Sequence, residues 1–194
     1  MLRYFLLLLL TVALAGGQQP GQCIFYDACG WDPDYEDGIG GNQVHYLNCA
    51  YDGPPKRATQ EQLDILEEVC PHLFTGEEQD LCCSLKQLTD LKVNFVTPQQ
   101  LIEPTCPTCY YNFRKNFCDM TCSPDQSMFV RANNFVEGPG FELGEVDHTN
   151  QTVKMVKDIT YFVKEEVGLC LVLHRKQLFK ILILSCLFLR TKSA

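Results

Sequence analysis

Apolar positions along the middle of the chain recur at three- and four-residue steps. Leu63, Leu66 and Cys70, with Ile65 and Val69, follow helical spacing. Thr59 and Gln62 precede them as a T-x-x-Q capping box, so a helix is expected to start at Thr59. A second helix is expected from about Glu77 to Phe95. Leu81, Leu85 and Leu88 form one stripe there, and Cys83, Gln87 and Leu91 lie beside it. Thr97-Pro98 and Ser123-Pro124 each read as an N-cap followed by proline at the first helical position. Between them, Cys106 to Cys122 is expected to be mostly helical.

Either side of this block the texture differs. Cys23 to Pro55 reads as loop, punctuated by Gly38-Ile39-Gly40-Gly41 and Asp52-Gly53-Pro54-Pro55. After Gly138-Pro139-Gly140, Glu142 to Asp147 and Val153 to Val163 are expected to form a hairpin around a turn at His148 to Gln151. Ile159, Tyr161 and Val163 alternate as a strand requires.

The N-terminus bears on compartment. Arg3, the apolar run Phe5 to Leu10 with Val12 to Ala15, and the small-x-small Ala13-Leu14-Ala15 read as a signal peptide over residues 1–15. A membrane anchor would need to span roughly 30 Å of hydrocarbon, and the run is too short. All twelve cysteines come after it, which in an oxidising compartment reads as a disulfide framework. Asn150-Gln151-Thr152 is an N-x-[ST] glycosylation sequon suited to a surface loop.

Charge narrows the choice of partner. A formal net charge of −8 argues against nucleic acid. Asp27, Asp32, Asp34, Glu36 and Asp37 crowd one early segment, and Glu77, Glu78 and Asp80 another. Both clusters read as solvated faces, with no catalytic carboxylate pair. From Val167 the chain carries five Lys/Arg residues and no acid, with an apolar run from Ile181 to Leu189. Residues 167–194 are therefore set apart as a divergent tail. It could lie on a membrane surface, and the preferred reading is a tail that does not pack.

Site chemistry is mostly excluded. Cys106, Cys109, Cys118 and Cys122 have zinc-like spacing, but the compartment favours disulfides, so no metal is expected. The Cys106-Pro-Thr-Cys109 pair sits in no strand–helix–strand context of a thiol oxidoreductase. No G-x-S-x-G elbow is present, and His45, His72, His148 and His174 have no evident partners. Each histidine reads as a surface or loop residue. The chain is not expected to be an enzyme, nor to need a cofactor.

The cysteine-bearing stretches are more specific. "QCIFYDACG", "NCAYDGPPK", "LCCSLKQL", "CPTCYYNF" and "FCDMTCSPDQS" occur in the order seen in the N-terminal luminal domain of Niemann–Pick type C1 proteins. Their sterol-uptake paralogue is similar too. The resemblance runs from about Gln22 to Glu166 and sets residues 16–166 as a partial domain of that type. It implies a small α+β domain, disulfide-rich and mainly helical with a β-hairpin, incomplete at the C-terminus. The implied ligand is one buried sterol, entering hydroxyl end first. The implied setting is the secretory pathway, outside the cell or in the endosomal or lysosomal lumen. A soluble sterol carrier is an implied partner, and full-length relatives are multi-span membrane proteins.

The resemblance also implies residue roles. Its disulfide pattern carries over as Cys23–Cys82, Cys29–Cys49, Cys70–Cys118 and Cys83–Cys122, placing the adjacent Cys82 and Cys83 on one helix. Each bridge contributes about 2–4 kcal/mol, mainly by restricting the unfolded chain. Gln87 and Asn48 match the amides that hydrogen-bond the sterol hydroxyl. Read from this sequence alone, they would be a surface helix glutamine and a turn residue. Burying roughly 400 Å² of hydrocarbon at ~25 cal/mol per Å² supplies about 10 kcal/mol gross, less association costs. The lone hydroxyl then needs partners, because an unsatisfied one costs roughly 1–3 kcal/mol. Amides can both donate and accept.

Two departures stand out. Ala28 replaces the glutamate that well-known members carry before the second cysteine. Cys106 and Cys109 ordinarily pair with later cysteines of the family, for which only Cys170 and Cys186 remain here. The abrupt change at Val167 suggests a truncated product, by intron read-through or alternative splicing, in which sterol binding is impaired. Two alternatives stay open. One is a secreted interaction or decoy module without lipid. The other is a vitamin binder of the folate-receptor or riboflavin-binding type, for which Trp31 is the only tryptophan available to stack.

Overall fold

The computed structural model describes residues 19–33, 46–76, 78–142 and 144–162. The signal-peptide segment, His45, Val163, Cys170, His174, Cys186 and the whole tail lie outside these residues.

Strand β1 (Cys23–Trp31) pairs antiparallel with β2 (Tyr46–Gly53). Antiparallel β5 (Val130–Pro139) and β6 (Thr152–Tyr161) complete a four-stranded sheet of order β1-β2-β6-β5. A small ladder joins β3 (Lys56–Arg57) to β4 (Asp80–Leu81). Helices α1 (Gln60–Val69), α2 (Leu85–Ile102) and α3 (Pro107–Cys122) make the other half. A 3₁₀ turn over Gln126–Met128 leads back to the sheet. The domain is mixed α+β, with more sheet than a mainly helical reading allows.

The helical half packs around Leu66, Val69, Leu81, Leu88, Leu91 and Phe95. Phe95 meets Phe113 edge-on, and Phe113 meets Phe117. A separate cluster of Phe25, Phe129, Val130, Val156 and Tyr161 lies on the sheet. Five disulfides cross-link the described residues: Cys23–Cys82, Cys29–Cys49, Cys70–Cys118, Cys83–Cys122 and Cys106–Cys109. Cys106 and Cys109 thus pair with each other rather than with a later cysteine. All four cysteines weighed for zinc are in these bridges, so none offers a thiolate.

Several expectations are corrected. The segment read as loop from Cys23 to Pro55 contains β1 and β2. Bulges at Asp27 and Cys29, and an extra residue in β2 opposite Ile24, disturb the ladder and with it the two-residue alternation by which a strand is recognised. The second helix begins at Leu85, because Asp80–Leu81 is strand and Ser84 supplies the N-cap. Cys82 and Cys83 therefore precede the helix. Thr97-Pro98 starts nothing, since Pro98 lies inside α2. The carbonyl it deprives of a donor belongs to exposed Asn94, where water can replace the bond. Ser123 closes α3, and the chain then makes a 3₁₀ turn rather than an α-helix. The partner of β6 is β5, not Glu142 to Asp147. That stretch docks onto β1 instead, with Glu145 N–H donating to Asp27 Oδ2 and Tyr26 O–H donating to Glu145.

Candidate functional site

Among the described residues three glutamines are buried, and all three do the same job with their oxygens. Gln62 Oε1 accepts from Thr59 N–H at 2.8 Å, completing the capping box of α1. Gln126 Oε1 accepts from Ile24 and Phe25 N–H at 2.7 and 3.0 Å, serving the first bulge of the β1–β2 ladder, whose extra residue lies in β2. Gln87 Oε1 accepts from Ser84 N–H at 2.9 Å and Asp27 N–H at 2.8 Å. It thereby caps α2 and serves the second bulge. Because both partners are backbone donors, the amide orientation of Gln87 is fixed by chemistry.

Their nitrogens differ. Gln62 Nε2 donates to Cys83 O and to Glu145 Oε1, and Gln126 Nε2 donates to Thr121 O. Gln87 Nε2 is fully buried and has no partner among the described residues. A buried amide without its bonds costs roughly 1–3 kcal/mol. The unpaired N–H groups are ready-made donors for an incoming oxygen.

Asp27 is the extra residue of the bulge, with φ +66°. Asp and Asn tolerate that left-handed conformation better than other residues with a side chain. Its Oδ2 accepts from Glu145 N–H, while Oδ1 is buried without a partner among the described residues. Asp27 is 3% exposed and Gln87 4%. The reading of the early acids as a solvated face is thus corrected for Asp27. It fails for Asp32 as well, which is buried and receives Lys157 Nζ at 2.9 Å. Asp27 lies in the quoted stretch "QCIFYDACG", which gave it no role. The available signal was a carboxylate flanked by Tyr26 and Ala28 in an apolar run.

Asn48 lies half-buried on β2, directly opposite Ala28. Cross-strand partners have Cα atoms about 5 Å apart, so Asn48 stands across the ladder from the residue after Asp27. β1 thus bonds Gln87 at Asp27 and pairs with Asn48 at the next residue, Ala28. Asn48 makes no side-chain hydrogen bond to another described residue. Glu145 links this place to Tyr26, whose hydroxyl donates to it at 2.8 Å. Burial, and then the bond to Glu145, hold the Tyr26 phenol far above its ordinary pKa. It remains a donor at physiological pH.

Other candidates sit elsewhere. A surface groove of about 490 Å³ is lined by Arg57, Ala58, Gln60, Leu63 and Glu78 and contains neither Asn48 nor Gln87. Cys29, Cys49 and His148 cluster within 4.8 Å, but the two sulfurs are bonded to each other. His72 is not a surface residue without a partner, since it meets buried Asp119 at 2.9 Å. Trp31 packs its ring against Phe141 at 4.9 Å, which occupies one face of the only indole. Asn150 is exposed in the turn before β6, at φ +62°. No described helix is long and apolar enough to cross a membrane.

The chain is 36% identical over 146 residues to the pig protein named NPC intracellular cholesterol transporter 1, covering 74% of the chain. It is 34% identical over 142 residues to human NPC1-like intracellular cholesterol transporter 1, covering 70%. A Caenorhabditis elegans homologue of the former shares 38% over 72 residues, 37% of the chain. The matched region covers 10% of the pig and human relatives and 5% of the nematode one. The family model described as Niemann-Pick C1 N terminus matches residues 20–170. The chain belongs to the Niemann-Pick C1 N terminus family.

Proposed function

We propose that this domain binds one sterol and takes part in intracellular cholesterol transport, without enzymatic activity or a cofactor. The hydroxyl end of the ligand sits at Gln87 and Asn48, in a compartment of the secretory pathway, and the sterol passes to or from a membrane or a soluble carrier. The observation that carries this reading is the buried Gln87 Nε2. Its amide oxygen is saturated by two backbone donors, and its N–H groups are left for a ligand. A single neutral hydroxyl satisfies such an amide without burying a charge. The names of the relatives, both cholesterol transporters, support the same ligand class.

Labelled cholesterol offered to the secreted, monomeric full chain tests the reading. Saturable binding that unlabelled sterol competes away is expected. A correctly disulfide-bonded monomer that binds none would overturn it.

A second reading, a lipid-free interaction module, draws on Val93, Val96 and Leu101 of α2, which are 50–66% exposed. The same experiment separates the two.

A further inference from the structure

We infer that Asp27 is the hydrogen-bond acceptor that makes this site select a hydroxyl over a carbonyl. This inference rests on the sterol reading above and adds a residue and a selectivity to it. Asp27 Oδ1 and Gln87 Nε2 are the two fully buried side-chain polar atoms left without partners among the described residues. They belong to two residues tied together by the bond from the Asp27 backbone N–H to Gln87 Oε1. One is an acceptor and the other a donor. A hydroxyl is the small neutral group that answers both, accepting from the amide N–H while donating its own proton to the carboxylate. A ketone accepts only, and would set its lone pairs against those of Oδ1.

Lys86 lies near enough to feel the charge of Asp27, but no hydrogen bond from a described residue reaches either atom. The bulge holds Asp27 in the left-handed region, and Glu145 N–H binds Oδ2. That second contact fixes the roles of the two carboxylate oxygens. It also dictates what asparagine would do at the same position. Glu145 N–H needs an oxygen, so the amide of Asp27→Asn would turn its NH₂ to the place of Oδ1. The acceptor becomes a donor with almost no change in shape, at a residue type suited to the same φ.

The experiment compares cholesterol with its 3-ketone, cholest-4-en-3-one, on the secreted full chain and on Asp27→Asn. The chain itself is expected to prefer the hydroxysterol by about tenfold or more, the value of one well-placed hydrogen bond. Asp27→Asn is expected to erase or invert that ratio. Secretion and melting temperature serve as controls. Binding of both sterols with an unchanged ratio in Asp27→Asn overturns the role of Asp27 and leaves the sterol reading intact. Failure of the folded chain to bind either sterol overturns both. Should Asp27→Asn fold poorly, Asp27→Gly keeps the backbone conformation and is expected to lose the preference. Equal affinity of the unaltered chain for the two sterols also overturns the inference.

Discussion

The amide oxygen of Gln87 receives the backbone N–H of Asp27 at 2.8 Å, sixty residues away in the chain. One side chain therefore ends a helix, closes a strand bulge and carries an NH₂ group without a partner among the described residues. Substitutions can separate these duties. Gln87→Ala removes all three, and is expected to cost about 1–2 kcal/mol of stability through the lost cap as well as weakening sterol binding. Gln87→Glu keeps an acceptor for Ser84 and Asp27 while removing the donor, and places a second carboxyl near Asp27. It is expected to lose binding with less loss of fold. Urea midpoints and sterol titrations on the two variants check this, and equal binding by both variants and the parent would return Gln87 to a purely structural role.

Asn48 offers a weaker handle. Asn48→Ala removes no hydrogen bond within the described residues, so stability is expected to change by less than about 0.5 kcal/mol. Affinity for the hydroxysterol is expected to fall several-fold. Thermal melting alongside binding distinguishes these effects.

Asp119 is a lever on acid stability. Burial raises its pKa, yet hydrogen bonds from His72 and Lys115 and their charges outweigh it, so the carboxyl sits below its ordinary value. A depressed carboxyl stabilises the fold above its unfolded pKa of about 3.9, and that stability is lost as pH falls through the folded value. Asp119→Asn is expected to lower stability at pH 7 by about 1–3 kcal/mol and to flatten the decline below pH 4. Unfolding free energies at pH 7 and pH 3 would show it; parallel declines in both proteins would assign the acid sensitivity elsewhere.

Gly144 leaves room for Asp27. A Cβ there would collide with Asp27 Oδ2 and with the carbonyl of Ala28. Gly144→Ala is expected to cost about 1–3 kcal/mol and to disturb the site, whereas Gly21→Ala has open space but a φ of +74°. Binding measured on both variants at matched folded fraction isolates the steric effect at Asp27.

The helices were largely legible in the sequence, because their signals are local. Thr59 and Gln62 form the reciprocal cap that their spacing predicts, and Pro107 starts α3 where proline costs nothing. The boundary of α2 was misread because Leu81 continues the leucine stripe, although Ser84 and Gln87 form a second capping box. The sheet was hidden for a different reason. Two bulges in β1 and one in β2 scramble the alternation, and the donors they release are met by Gln87 and Gln126, both distant in sequence. Asn48 and Gln87 could be nominated through family resemblance. Asp27 could not, since only the bulge turns an apparent surface acid inward.

Cys82 and Cys83 share one peptide bond, yet one is tied to the start of β1 and the other to the end of α3. Ser84, the cap that orients Gln87, comes immediately after them. The geometry of the amide is thus set by oxidation at its doorstep. With the thiols reduced, the segment before that cap would lose both covalent ties and keep only hydrogen bonds such as Cys82 N–H to Cys122 O and Gln62 Nε2 to Cys83 O.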